Sequence, residues 1–152
     1  MPPFFFGADD GVHGVELWSS DGTAAGTALV RDIALSPFNS DAYPSGLTPI
    51  GSTLFFAASD ATHGFELWKS DGSEAGTTLV KDIRPGETGS TDGNGFFTSN
   101  GLLFFIADDG VHGGELWRSD GSEAGTFLVK DISPGIGYAG IYRLVSLGGA
   151  VL

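Results

Sequence analysis

The 152-residue chain contains no cysteine, which excludes a disulfide framework, a cysteine-ligated zinc or iron–sulfur site and thiol catalysis. Basic residues are scarce: seven Lys plus Arg stand against nineteen Asp plus Glu, a formal charge of −12. That balance repels a phosphate backbone, so nucleic acid is not an expected partner. No apolar run approaches the roughly 18 residues that span a bilayer, so membrane insertion is not expected either. The start Met1-Pro2-Pro3-Phe4 lacks the basic stretch that opens a secretory signal, and no such signal is read in the chain. Helical spacing of apolar residues is nowhere sustained over a dozen positions. What is abundant is glycine, 25 residues without a collagen period, beside a hydrophobic share of 41%. One core's worth of apolar residues interrupted by many tight turns predicts an all-β chain.

Self-similarity is the strongest signal. His13-Gly14-Val15-Glu16-Leu17-Trp18-Ser19-Ser20-Asp21-Gly22 recurs as His63-Gly64-Phe65-Glu66-Leu67-Trp68-Lys69-Ser70-Asp71-Gly72 and His112-Gly113-Gly114-Glu115-Leu116-Trp117-Arg118-Ser119-Asp120-Gly121, at offsets of 50 and 49 residues. Each copy runs on through Ala-Gly-Thr to Leu29–Ile33, Leu79–Ile83 or Leu128–Ile132, and each follows an apolar run at Phe4–Phe6, Leu54–Phe56 or Leu103–Phe105. In the middle copy four strands are predicted: Leu47–Ile50, Thr53–Ala58, Phe65–Lys69 and Thr78–Ile83. They are separated by Gly51-Ser52, the loop Ser59–Gly64 and the turn at Asp71-Gly72. Asn100-Gly101, at the matching place before the third copy, is a strong hairpin signal. Four antiparallel strands repeating at about 50 residues read as β-propeller blades. The chain is expected to be a single repeat domain, 1–152, with copies near 4–50, 51–100 and 101–149.

The motif Glu-Leu-Trp-x-Ser-Asp-Gly-(Thr/Ser), followed by Ala-Gly-Thr-x-Leu-Val-(Lys/Arg)-Asp-Ile, resembles the ELWxxDGT repeat of bacterial multi-repeat proteins, and the likeness covers almost the whole chain. The resemblance implies a propeller-like array at the cell surface or outside the cell, and it brings no general activity with it. Three blades are too few to close a ring, since rings of four to eight are usual. The chain opens in the second strand of a blade, while Leu144–Leu147, Gly148-Gly149 and Ala150–Leu152 match a first strand and the start of a second. A homo-oligomer is therefore expected, a dimer of six blades first and a trimer of nine second. The alternative is a piece cut or engineered from a longer array, whose property is self-assembly.

Trp18, Trp68 and Trp117 are read as core, and the Phe5-Phe6, Phe55-Phe56 and Phe104-Phe105 pairs as facing opposite sides of sheets covered on both faces. Glu16, Glu66 and Glu115 belong to the structural motif. So do Asp21, Asp71 and Asp120, which are expected to accept bonds from their own turns. Asp32, Asp82 and Asp131 are expected to pair with a backbone donor or a nearby base. The loops holding Asp9, Asp10 and His13, Asp60 and His63, and Asp108, Asp109 and His112 gather carboxylate and imidazole on the face that also carries the long connections. Their ligand-binding role is weighed against a His that bonds a neighbouring backbone. No cofactor is expected. Ca2+ is the alternative, although the Asp-x-Asp-x-Asp-Gly spacing is absent. The connections 34–46, 84–98 and 133–142 differ between copies, which makes Asn39, Asp41, Tyr43, Asp92, Asn94, Tyr138, Tyr142 and Arg143 further candidates.

Catalysis is not expected, because an active site needs differentiated acid, base and nucleophile in one asymmetric pocket, and each polar cluster here is copied three times. Copies favour multivalent binding. The expected function is a binding or scaffold module, with glycan recognition at the blade loops; a rigid structural platform for a protein partner is the second reading. The third, a hydrolase or lyase with an axial acidic site, requires a carboxylate pair about 5–10 Å apart.

Overall fold

A computed structural model describes residues 3–35, 40–147 and 150–151; Asn39 lies outside them. Every element among these residues is a β-strand. Sheet I is β1 (Phe4–Asp9), β2 (Val15–Ser20) and β3 (Ala28–Arg31). Sheet II is β4 (Ser45–Ile50), β5 (Thr53–Asp60), β6 (Gly64–Ser70) and β7 (Thr78–Lys81). Sheet III is β8 (Phe97–Ser99), β9 (Leu102–Asp108), β10 (Gly114–Ser119) and β11 (Phe127–Lys130). A short hairpin of β12 (Ser146–Leu147) and β13 (Ala150–Val151) forms its own sheet. Neighbouring strands are antiparallel and follow chain order, and no sheet closes on itself. The four strands read for the middle copy are thus present with boundaries moved by two residues or fewer, and among the described residues sheet I has no counterpart of β4.

The repeat in sequence is a repeat in register. Phe6 faces Trp18, Phe56 faces Trp68 and Phe105 faces Trp117, and the ladder slips between Leu and Trp of each motif. The buried apolar residues gather between sheets. One core joins sheets I and II through Leu17, Val30 and Ile33 on one side and Leu54, Phe56, Ala58 and Trp68 on the other. The second joins sheets II and III through Phe55, Leu67, Val80 and Ile83 against Leu103, Phe105, Ala107 and Trp117. Adjacent Phe55 and Phe56 enter different cores, because successive side chains of a strand point to opposite faces. Phe56 and Phe105 are fully buried, worth about 1.5–3 kcal/mol apiece by removal from water.

Three polar devices hold the frame. The motif glutamates Glu16, Glu66 and Glu115 are completely buried. Each carboxylate accepts the two backbone N–H groups just beyond the last strand: Ile33 and Ala34 at 2.9 and 3.1 Å, Ile83 and Arg84 at 3.2 and 3.0 Å, Ile132 and Ser133 at 3.1 and 2.8 Å. Those donors lie past the ladder, so without the glutamate they would be short of acceptors. Next, Ser20–Thr27, Ser70–Thr77 and Ser119–Thr126 form hydroxyl pairs, each 2.7 Å. The threonine hydroxyls donate to the carbonyls of Thr23, Ser73 and Ser122, which obliges each serine to donate to its threonine. Last, Asp21, Asp71 and Asp120 accept from the N–H and hydroxyl of the residue two further on, as expected for a turn aspartate.

Cations and connections stitch one sheet to the next. Arg31 donates to the Thr77 carbonyl at 2.5 Å, Lys81 to that of Thr126 at 2.9 Å, and Lys69 to that of Gly121 at 2.7 Å. Ala42 N–H reaches Val15 of sheet I while its carbonyl accepts from Ser59 of sheet II; Ser90 bridges Phe65 and Asp108 in the same way. Asp82 and Asp131, expected to pair with a backbone donor or a nearby base, each keep one buried oxygen without a hydrogen-bond partner. The Lys81 beside Asp82 is committed to the next sheet, where it donates to the Thr126 carbonyl.

Candidate functional site

The loop joining the second and third strands of each repeat folds around its aspartate. Asp10 Oδ1 accepts from Val12 and His13 N–H, Asp60 Oδ1 from Thr62 and His63, and Asp109 Oδ1 from Val111 and His112. The second oxygen meets His Nδ1 at 2.7, 2.8 and 2.7 Å respectively. The imidazole thus bonds a carboxylate of its own loop rather than the neighbouring backbone that the sequence reading set beside a ligand role. The cause is spacing, since a turn that brings the His N–H to Asp at i−3 also brings the ring. Each bond to Asp raises the histidine above its ordinary value of 6.5. Backbone donation by His13 leads in holding Asp10 down at about 2. For Asp60 and Asp109 burial pushes up, and the hydrogen bonds from their histidines and loop N–H groups outweigh it. The ring is fixed through Nδ1, so Nε2 is the nitrogen left for an outside partner.

The glycine after each histidine is required by the connection that crosses it. Gly64 has φ 63°, and a Cβ there would strike the Glu87 carbonyl and the Gly89 nitrogen. The connections therefore lie on the Asp–His loops, as the strand directions had implied.

Between sheets II and III this arrangement leaves an open cleft of about 600 Å³. Its walls are Phe65, Tyr138 and Tyr142 with Ile106 and Ile141, and its polar groups include Ser90, Thr91, Asp92, Asn94 and Asp108. Asp108 is held by Arg84 at 2.7 Å across the two sheets, and its other oxygen accepts from Gly110 N–H at 2.7 Å. Asp92 accepts from the Asn94 side chain at 2.7 Å. Tyr138 lies against Gly114, where a Cβ would run into its ring. The other repeats carry Val15 and Phe65 at that position, so this tyrosine wall exists in the third repeat because glycine makes room for it.

Of the candidates from sequence, Asp92, Asn94, Asp108, Tyr138 and Tyr142 converge on the cleft. Asp10–His13, Asp60–His63 and Asp109–His112 form separate pairs. Asp9 accepts from Gly11 of its own loop at 2.7 Å. Tyr43 is left-handed at φ 47° and bonded to Asp41, which in turn accepts from Val15 N–H at 2.7 Å. Arg143 is exposed. Among the described residues no group of three or more His, Asp or Glu is placed to hold a metal ion. Sequence reasoning did not foresee Phe65, Ser90 and Gly114 in the cleft; the break in the repeat at Gly114 was the available signal. No protein-family model, curated protein or solved structure matches the chain.

Proposed function

We propose that the chain is a non-catalytic binding module built from β-propeller blades, and that the cleft between the second and third blades takes a saccharide. The observation that carries this reading is the pairing of tyrosine rings with short polar side chains in one open cleft. Aromatic faces stack on the apolar C–H face of a sugar ring, while carboxylate and amide oxygens and nitrogens take up its hydroxyls. Tyr138 and Tyr142 are 74% and 98% exposed, so stacking would bury aromatic surface that now faces water. Asp92 and Asn94 orient each other and stand beside it. The cleft belongs to connections that vary within a repeated frame, where a ligand can be selected without disturbing the sheets. An outer-surface location, which the motif resemblance implies, suits glycan recognition.

Saturation-transfer difference NMR against a panel of neutral and acidic oligosaccharides, with and without Ca2+, tests this. Signal from sugar ring protons that Tyr138→Ala and Tyr142→Ala abolish is the expected result. Absence of binding to every saccharide under both conditions would remove the reading.

A further inference from the structure

We propose that the outer face of sheet III docks on the outer face of sheet I of a second copy of this chain, head to tail, repeating the joint already made twice inside one molecule. The same residues do different things at the two ends. Val30 and Val80 are 7% and 6% exposed because the following sheet covers them, whereas Val129 at the same repeat position is 44% exposed. Ile33 and Ile83 are 4% and 5% exposed, and Ile132 is 51%. On the receiving side, Leu54 and Leu103 are 6% and 0% exposed beneath the preceding sheet, while Phe4 is 51%. Thr77 and Thr126 are fully buried; Thr27 is exposed.

The polar contacts are matched as well as the apolar ones, and they identify the partner as this chain rather than any apolar protein. Lys130 occupies the place of Arg31 and Lys81, which cap the Thr77 and Thr126 carbonyls; its equivalent acceptor is the Thr27 carbonyl of the next copy. Arg118 occupies the place of Lys69, which caps Gly121. Its Nε is buried with no partner and its guanidinium lies 4.6 Å from the Phe127 ring centre, with the Gly22 carbonyl of the next copy as the matching acceptor. Phe5 and Phe55 rest on Gly72 and Gly121, where a Cβ would meet their rings at 3.3 and 3.0 Å. Among the described residues Phe104 has no such glycine, and Gly22 has nothing within 4 Å. Such a contact is heterologous, each copy using one face to give and the other to receive, and it closes into a ring when the rotation permits. The joint involves sheet faces only and does not depend on a saccharide in the cleft. It rests on the propeller reading in the one respect that the sheets follow one another by a repeated step.

Light scattering on the intact chain at about 100 μM and physiological salt is the test, where the charge of −12 on each copy is screened beyond about 8 Å. The expected mass is about twice 15.7 kDa, or three times that value for the nine-bladed ring. Val129→Asp and Phe4→Asp each alter a residue that is already exposed in one chain, and far-UV circular dichroism checks that the sheets remain. Each variant alone is expected to be monomeric, and an equimolar mixture is expected to recover a dimer through the one intact joint. Lys130→Ala, which leaves the apolar face untouched, is expected to weaken each joint about tenfold, as loss of a charged hydrogen bond does, and the closed dimer with its two joints about a hundredfold. A monomeric parent would overturn the proposal and leave these faces to a different protein. A Phe4→Asp chain that keeps its mass, or a mixture that stays monomeric, would overturn it too. Sugar binding that survives in the monomeric variants would separate failure of the joint from failure of the cleft.

Discussion

Glu66→Gln tests whether the motif glutamate is a buried titrating group. Burial, against the pull of Ser90 and the N–H groups of Arg84 and Ile83, pushes this carboxyl from 4.5 up to about 7. A carboxyl with a higher pKa folded than unfolded contributes stability that is complete below pH 4.5 and is lost as pH rises through about 7. At roughly 1.4 kcal/mol per pH unit, the loss for Glu66 comes to about 3 kcal/mol by mildly alkaline pH. Glutamine has the same shape and one carbonyl but no proton to lose. At about pH 5 the variant leaves one of the two backbone N–H groups without a good acceptor, a cost of about 1–2 kcal/mol. At about pH 8.5 the parent has lost its own about 3 kcal/mol, so the gap closes or reverses. The raised histidines lose stability over the same window with the same sign, but parent and variant share them and they cancel in the difference. Asp10, lowered to about 2, acts only below the window. Urea unfolding of both proteins at the two pH values, at one fixed protein concentration, measures the gap. A gap constant to within about 0.5 kcal/mol would refute the assignment, because additive, non-titrating effects leave no pH term.

Gly76→Ala drives a Cβ into the Asp71 carboxylate; the expected cost is about 1–3 kcal/mol, read as a fall of roughly 2–12 °C in the melting temperature, and an unchanged melt would show that the turn yields freely. Asp109→Asn replaces the carboxylate whose hydrogen bond, and then whose charge, raises His112, so its imidazole titration, followed by ring-proton NMR, is expected to fall relative to the parent while His13 and His63 stay where they are.

Much of the frame was legible because its signals are local. Thr53–Asp60 alternates sides in a way that any strand must, Asn100-Gly101 demands a turn, and Phe55-Phe56 requires two covered faces. Asp71 accepts from Ser73 two residues on, a contact that spacing alone fixes. The glutamates were different: Glu66 bonds backbone N–H groups 17 and 18 residues downstream, and backbone donors carry no residue code. Proximity in sequence to Asp82 says nothing about where the long Lys81 side chain ends, and it ends on the Thr126 carbonyl. The cleft was half visible. Its tyrosines and Asp92 stood out as departures from the repeat, but that they meet depends on how Tyr138 folds back over Gly114, a tertiary contact with no periodic trace.

Because both cores lie between sheets, no repeat owns a hydrophobic interior of its own. The middle unit is half of two interiors and each outer unit half of one, so a lone copy has nothing to fold around, and stability arises at boundaries rather than within units. Lengthening such an array adds one boundary per unit at constant benefit, and loss of an internal unit rejoins two matching halves without a scar. The architecture therefore tolerates changes in copy number far better than it tolerates a single divergent face.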